Sequence, residues 1–231
     1  MPSHRVLEED AVDNAVHLVQ TYLRVNGYFT VVEYPVVELR EGYRTATDLD
    51  VLAFRFPGVH RLIPGSARER EPEPPVFGPD PALQVPEGRA DMLIAEVKEG
   101  EARFNRGGRR ADVFAAALAR FGCCPPTASA EVARRLLQTG AAVTPGGHGI
   151  RLVAFGSVAP EGGGRPYLCI SLGHVLRFLE AWIDEHWAVL RHTQLKDPVL
   201  SFLSTLEKAR EGGGHGSGSA DGPPGPGPET R

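Results

Sequence analysis

TDLDVLAFRF, Thr47 to Phe56, and DMLIAEVK, Asp91 to Lys98, are two nearly apolar stretches broken by a few charges, and the position of those charges decides the fold. The first reads as a strand because it is rich in β-branched and aromatic residues, the second as a central strand because it is apolar on both faces. Side chains alternate faces in a strand, so Asp48, Asp50, Leu52 and Phe54 share one face, and Met92, Ile94, Glu96 and Lys98 share one face of the other. An antiparallel pairing that sets Asp50 against Glu96 puts Leu52 opposite Ile94 and Phe54 opposite Met92. Every apolar pair then matches, and Asp50, Glu96 and Lys98 meet at one end. Asp91, five residues from Glu96, falls on the opposite face.

Working outward, Val12, Ala15, Val16, Val19, Tyr22 and Leu23 recur at helical spacing between Glu8 and Asn26, with Gly27 as the stop. Tyr28 to Val37 is a further strand, joined to Thr47–Phe56 as a hairpin, and Pro35 marks it as an edge or bulged strand. Ala111 to Phe121 and Ser129 to Thr139 read as helices, Gly149 to Ser157 and Tyr167 to Leu172 as strands. Gly173 to His192 reads as one long helix with a wide apolar stripe that includes Trp182, His186 and Trp187. Pro198 to Ala209 closes the chain as a shorter helix. The expected class is α/β: an αβββαβ core with a mixed sheet flanked by helices, plus C-terminal helices.

The chain has 231 residues, 42% of them hydrophobic, with 20 Pro and 27 Gly concentrated in two places. Glu211 to Arg231 has no large apolar side chain to bury, so it is expected to be a disordered tail. Pro57 to Arg89 holds eight prolines and reads as an insertion, mobile and dispensable for folding. About 175 residues remain, enough for one core, so residues 1–210 are expected to form a single domain. No run of about 18 apolar residues exists anywhere, and MPSHRVLEED has acids where a secretory signal needs an apolar stretch, which predicts a cytoplasmic protein without membrane contact. Cys123, Cys124 and Cys169 lack metal-ligand spacing and read as reduced, partly buried thiols. A net charge of −4 excludes coating of nucleic acid by bulk attraction, so phosphate contact has to come from a local basic patch.

Two carboxylates beside an amine at neighbouring strand positions form a hard-oxygen cation site, suited to Mg²⁺ or Mn²⁺ and to phosphoryl chemistry. Lys98 can orient an attacking water or offset charge on the phosphorus. The plain alternative leaves Asp48 and Asp50 in solvent and makes Glu96 and Lys98 a surface pair worth less than about 1 kcal/mol. Against it, a carboxylate in an otherwise apolar strand is costly unless paired or metal-bound. Following Lys98, Arg103, Arg106, Arg109 and Arg110 cluster around Gly107-Gly108, a basic loop able to hold a DNA backbone or simply to be solvated. His148 and His186 are single imidazoles, read as loop decoration and core packing. No GxxxxGK[ST] loop is present, so ATP hydrolysis is not indicated.

A strand reading TDLDVLA, then one reading IAEVK, in an αβββαβ order, resembles the PD-(D/E)xK nuclease superfamily, the restriction-endonuclease-like fold, over roughly Glu8 to Ser157. That resemblance implies Asp50 as the metal-binding aspartate, Glu96 and Lys98 as the (D/E)xK pair, and the backbone carbonyl of Val97 as a further metal ligand. Members often add a glutamate from the first helix. Here Glu8, Glu9 and Asp13 are placed differently from that residue, and Glu33 on the first strand is another candidate.

The leading expectation is a metal-dependent endonuclease cleaving DNA phosphodiesters. The alternative is a non-catalytic nuclease-like module that binds nucleic acid or a partner protein, and a third reading makes the Trp182 and Trp187 helix the seam of a homodimer.

Overall fold

The computed structural model describes residues 13–39, 42–59, 78–105, 109–160 and 164–214. The chain forms two compact units, Met1–Leu179 and Glu180–Arg231. In the first, helix α1 (Asn14–Val25) leads into the hairpin β1 (Phe29–Leu39) and β2 (Tyr43–Arg55). A 3₁₀ turn (Pro81–Leu83) precedes β3 (Asp91–Glu101), and α2 (Ala111–Phe121) and α3 (Pro126–Thr139) follow. Short β4 (Ala141–Val143), β5 (Gly149–Val158), β6 (Leu168–Ser171) and the start of α4 (Leu172–Glu185) complete the unit.

The strands build one mixed sheet in the order β1-β2-β3-β5-β4, with β6 also paired to β5. β1, β2 and β3 are successively antiparallel, whereas β3 and β6 each run parallel to β5. The β2–β3 register pairs Leu52 with Ile94 and Phe54 with Met92, as strand alternation predicts. On one face, Leu52, Ile94, Ile150 and Leu152 pack beneath Val113, Phe114 and Leu118 of α2 and Leu136 of α3. On the other, α1 covers β1 to β3, and the fully buried Tyr22 stands edge-on to Phe155 and Phe178. The class is therefore α/β with a mixed sheet between helices.

Three expectations are corrected, and one strand is added. The segment expected to be a mobile insertion is anchored in the core at Asp80 and Leu83: Leu83 is fully buried, and its carbonyl accepts from Arg151 at 2.7 Å. Asp80 receives the Tyr22 hydroxyl at 2.7 Å and lies 2.6 Å from Nε2 of His174. Proline density had masked this anchor; the insertion's residues 60–77 lie outside the described residues. The long helix expected from Gly173 to His192 breaks at His186, where α5 (Trp187–Leu190) begins. There the imidazole stacks on Trp182 at 4.8 Å and Nδ1 lies 2.8 Å from the Trp182 carbonyl. Helix α6 (Pro198–Gly214) in the second unit runs four residues into the expected tail, because Glu211 accepts the Trp187 indole N–H at 2.6 Å. β4 was not expected at all; three residues are too few to show a period. The rest of the tail, 215–231, is outside the described residues.

Candidate metal centre

Pairing between β2 and β3 ends at Val51–Ala95. One step further, the Asp50 carboxylate accepts the backbone N–H of Val97 at 2.7 Å, where a β2 carbonyl would otherwise stand. The N–H and C=O of one strand residue project to the same side, so the Val97 carbonyl faces the same gap. Glu96, 3% exposed, and Lys98 continue the face set by Ile94. Lys98 Nζ lies 2.7 Å from Glu96 Oε1 and 3.6 Å from Asp50 Oδ2. The two carboxylates therefore approach within the span of those two distances, on one side of the sheet.

The charges are unequal: two acids share one ammonium in a half-buried gap. Burial pushes the Glu96 carboxyl above the usual carboxylate range, and the Asp50 charge adds to it, against hydrogen bonds from Lys98 and the Asn105 backbone N–H. Burial pulls the Lys98 ammonium down, but its hydrogen bond to Glu96 and the charges of Glu96 and Asp50 outweigh this and hold it above the ordinary amine value. A buried carboxylate with incomplete compensation is stabilised by an added cation. Two carboxylate groups and a carbonyl facing one gap are the oxygen donors that Mg²⁺ or Mn²⁺ accepts while keeping several waters. The residues present thus fit a divalent cation.

A third acid is not brought in. Among the described residues no group of three or more His, Cys, Asp or Glu side chains is placed to hold a metal. Asp13 caps α1, accepting from Ala15 and Val16 at 2.9 and 3.1 Å. Glu8 and Glu9 lie outside the described residues. Glu33 occupies the β1 position between Val32, paired with Val51, and Tyr34, paired with Leu49, so it stands across from Asp50. Its φ of +52° is a left-handed conformation that non-glycine residues seldom adopt, and its side chain is exposed. Asp91 is a structural acid on the opposite side, fully buried between the Tyr28 hydroxyl at 2.6 Å and the Arg151 guanidinium at 2.7 Å.

The basic loop is divided. Arg103 is exposed, and Arg106 lies outside the described residues. Arg109 donates to the Leu137 carbonyl at 3.0 Å and lies over the Tyr167 ring, 5.5 Å from its centroid, while Arg110 pairs with Asp112. The Arg109 guanidinium thus ties the loop to the end of α3, whereas Arg110 makes an exposed pair with its near neighbour in sequence. His148 packs edge-on to Phe54 at 6.2 Å. Cys123, Cys124 and Cys169 are free thiols, and burial pushes Cys123 up to about 12, which keeps it protonated and unreactive.

The Asn105 amide was not legible from sequence, since a backbone group reaching back to Glu96 leaves no residue-type signal. No described helix is long and apolar enough to cross a membrane. No family model, curated protein or solved structure matches the chain.

Proposed function

We propose that the chain is a metal-dependent nuclease hydrolysing DNA phosphodiester bonds, built on a restriction-endonuclease-like core of the PD-(D/E)xK kind. The observation that carries this reading is the meeting of Asp50, Glu96 and Lys98 on adjoining strands, with Lys98 Nζ between the two carboxylates. The α1-β1-β2-β3-α2 order and the parallel β3–β5 pairing are in keeping with that core.

Asp50, Glu96 and the Val97 carbonyl would hold Mg²⁺ or Mn²⁺. When bound, the ion supplies charge that polarises a phosphoryl oxygen and lowers the pKa of a coordinated water. Lys98, anchored by Glu96 and kept protonated, donates to the attacking water or to a non-bridging phosphoryl oxygen, offsetting charge as it builds. Asp50 is itself held in place by the Val97 N–H, so its carboxylate is oriented before any ligand arrives. Arg103, exposed beyond Lys98, neutralises a strand phosphate. The test is cleavage of plasmid and branched DNA by the purified protein with Mg²⁺ or Mn²⁺: the reading expects nicking that EDTA stops.

One observation favours a second reading, a non-catalytic module that binds nucleic acid or a partner protein through the same fold. Arg109 donates to the Leu137 carbonyl and Arg110 is paired with Asp112, so part of the positive charge of this loop is already matched within the chain. Binding of DNA without cleavage under any divalent cation is the result this second reading expects.

A further inference from the structure

The chain leaving β3 does not run away from the candidate centre but doubles back over it. The β3–β5 pairing is interrupted between Lys98 and Glu101, and the Ala102 N–H then donates to the Val158 carbonyl at 2.9 Å. This return is possible because residue 156 has no side chain: a Cβ there would lie 2.5 Å from the Ala102 nitrogen and 2.7 Å from the Gly100 carbonyl oxygen. Ala102 and Phe104 are buried, and three residues beyond Ala102 the Asn105 N–H reaches the Glu96 carboxylate.

The segment leading into β6 fastens this return. Arg165 pairs with Glu101 at 2.6 Å and donates through its other terminal nitrogen to the Ala102 carbonyl. Tyr167 packs against Phe104 with ring centroids 5.0 Å apart, and the Cys169 thiol lies 3.6 Å from the same Ala102 carbonyl. Pro166 sits so close over Gly140 that a Cβ there would overlap its carbonyl, which fixes this segment against the end of α3.

We propose that Arg165 is a positioning residue for Glu96: its fork ties Glu101 and the Ala102 carbonyl to the β6 lead-in, and so holds the Asn105 amide on the carboxylate that would carry the metal. The inference deepens the nuclease reading and rests on it where metal is concerned. A guanidinium suits the task because its planar fork reaches a carboxylate and a carbonyl together, whereas an ammonium is a single point of attachment. Groups that orient a metal ligand without touching the metal commonly change metal affinity by about tenfold or more.

The experiment compares wild type, Arg165→Ala, Arg165→Lys and Glu101→Gln, without DNA. Two quantities are read: hydrogen exchange at the Asn105 amide, and the Mn²⁺ dissociation constant by electron paramagnetic resonance. Arg165→Ala is expected to speed Asn105 exchange about tenfold and to weaken Mn²⁺ about tenfold. Arg165→Lys should recover part of both, and Glu101→Gln should show a smaller change in the same direction. Unchanged Asn105 exchange in Arg165→Ala overturns the proposal, as does faster exchange with unchanged Mn²⁺ affinity. If wild type itself binds no Mn²⁺, the nuclease reading fails, and faster Asn105 exchange in Arg165→Ala alone then upholds the brace while unchanged exchange overturns it.

Discussion

The Asp50 carboxylate takes the Val97 N–H at 2.7 Å, so a side chain completes the β2–β3 ladder at the point where its backbone pairing stops. Asp50 thereby has a structural duty in addition to the chemical one proposed for it. The two can be separated. Asp50→Ala leaves the Val97 N–H without its acceptor and should lower stability by about 1–3 kcal/mol, whereas Asp50→Asn keeps a side-chain oxygen there and should cost less. Urea denaturation of the two variants measures the difference; equal losses would mean that the hydrogen bond contributes nothing.

Glu96 should make stability pH-dependent. Its carboxyl is raised above the reference value of 4.5, chiefly by burial. The native state then binds the proton more tightly than the unfolded chain, so stability falls as pH rises from 4.5 toward the native value. Relative to Glu96→Gln, which does not titrate there, wild type should lose stability across that window. Denaturation of both proteins between pH 4 and pH 8 checks the sign, and a difference that stays flat or rises with pH would contradict it.

A cation placed between Asp50 and Glu96 reverses this penalty. Millimolar Mg²⁺ should raise the melting temperature of wild type by mass action and leave Asp50→Asn and Glu96→Gln unchanged. Equal shifts in all three proteins, followed by differential scanning fluorimetry, would place the ion elsewhere.

The arginines of the loop should part company. Arg109→Ala removes the bond to the Leu137 carbonyl and the contact with Tyr167, and should lower stability by about 1 kcal/mol. Arg103→Ala should leave stability unchanged, weaken DNA binding and reduce the salt slope by about 0.9. A salt series of binding isotherms beside melting curves separates the two effects.

How far the sequence alone carried can be seen residue by residue. Strand alternation gives the shared face, and matching the apolar pairs with the charges gathered at one end selects, among two-residue slips, the observed pairing of Leu52 and Phe54 with Ile94 and Met92, which carries Asp50 toward Glu96. Local pattern could not reveal partners distant in the chain. Nothing in the sequence around Arg109 points to Leu137, 28 residues on, whose carbonyl it reaches. Leu83 lies in a proline-rich stretch with no helical or strand period, yet it is fully buried, and Leu83→Ala should cost about 2–5 kcal/mol. His186 fits a helical stripe by spacing, but its stacking on Trp182 accompanies a break there. Gly156 gives no signal of its own, since only the folded approach of Ala102 shows why a side chain is forbidden.

The most direct test of the central claim is single-turnover cleavage of DNA by wild type, Asp50→Asn and Lys98→Ala in Mg²⁺, with DNA binding measured on the same preparations. The account predicts cleavage by wild type alone, with binding by both variants close to that of wild type. Cleavage by Asp50→Asn at the wild-type rate, or none by wild type that binds DNA, would contradict it.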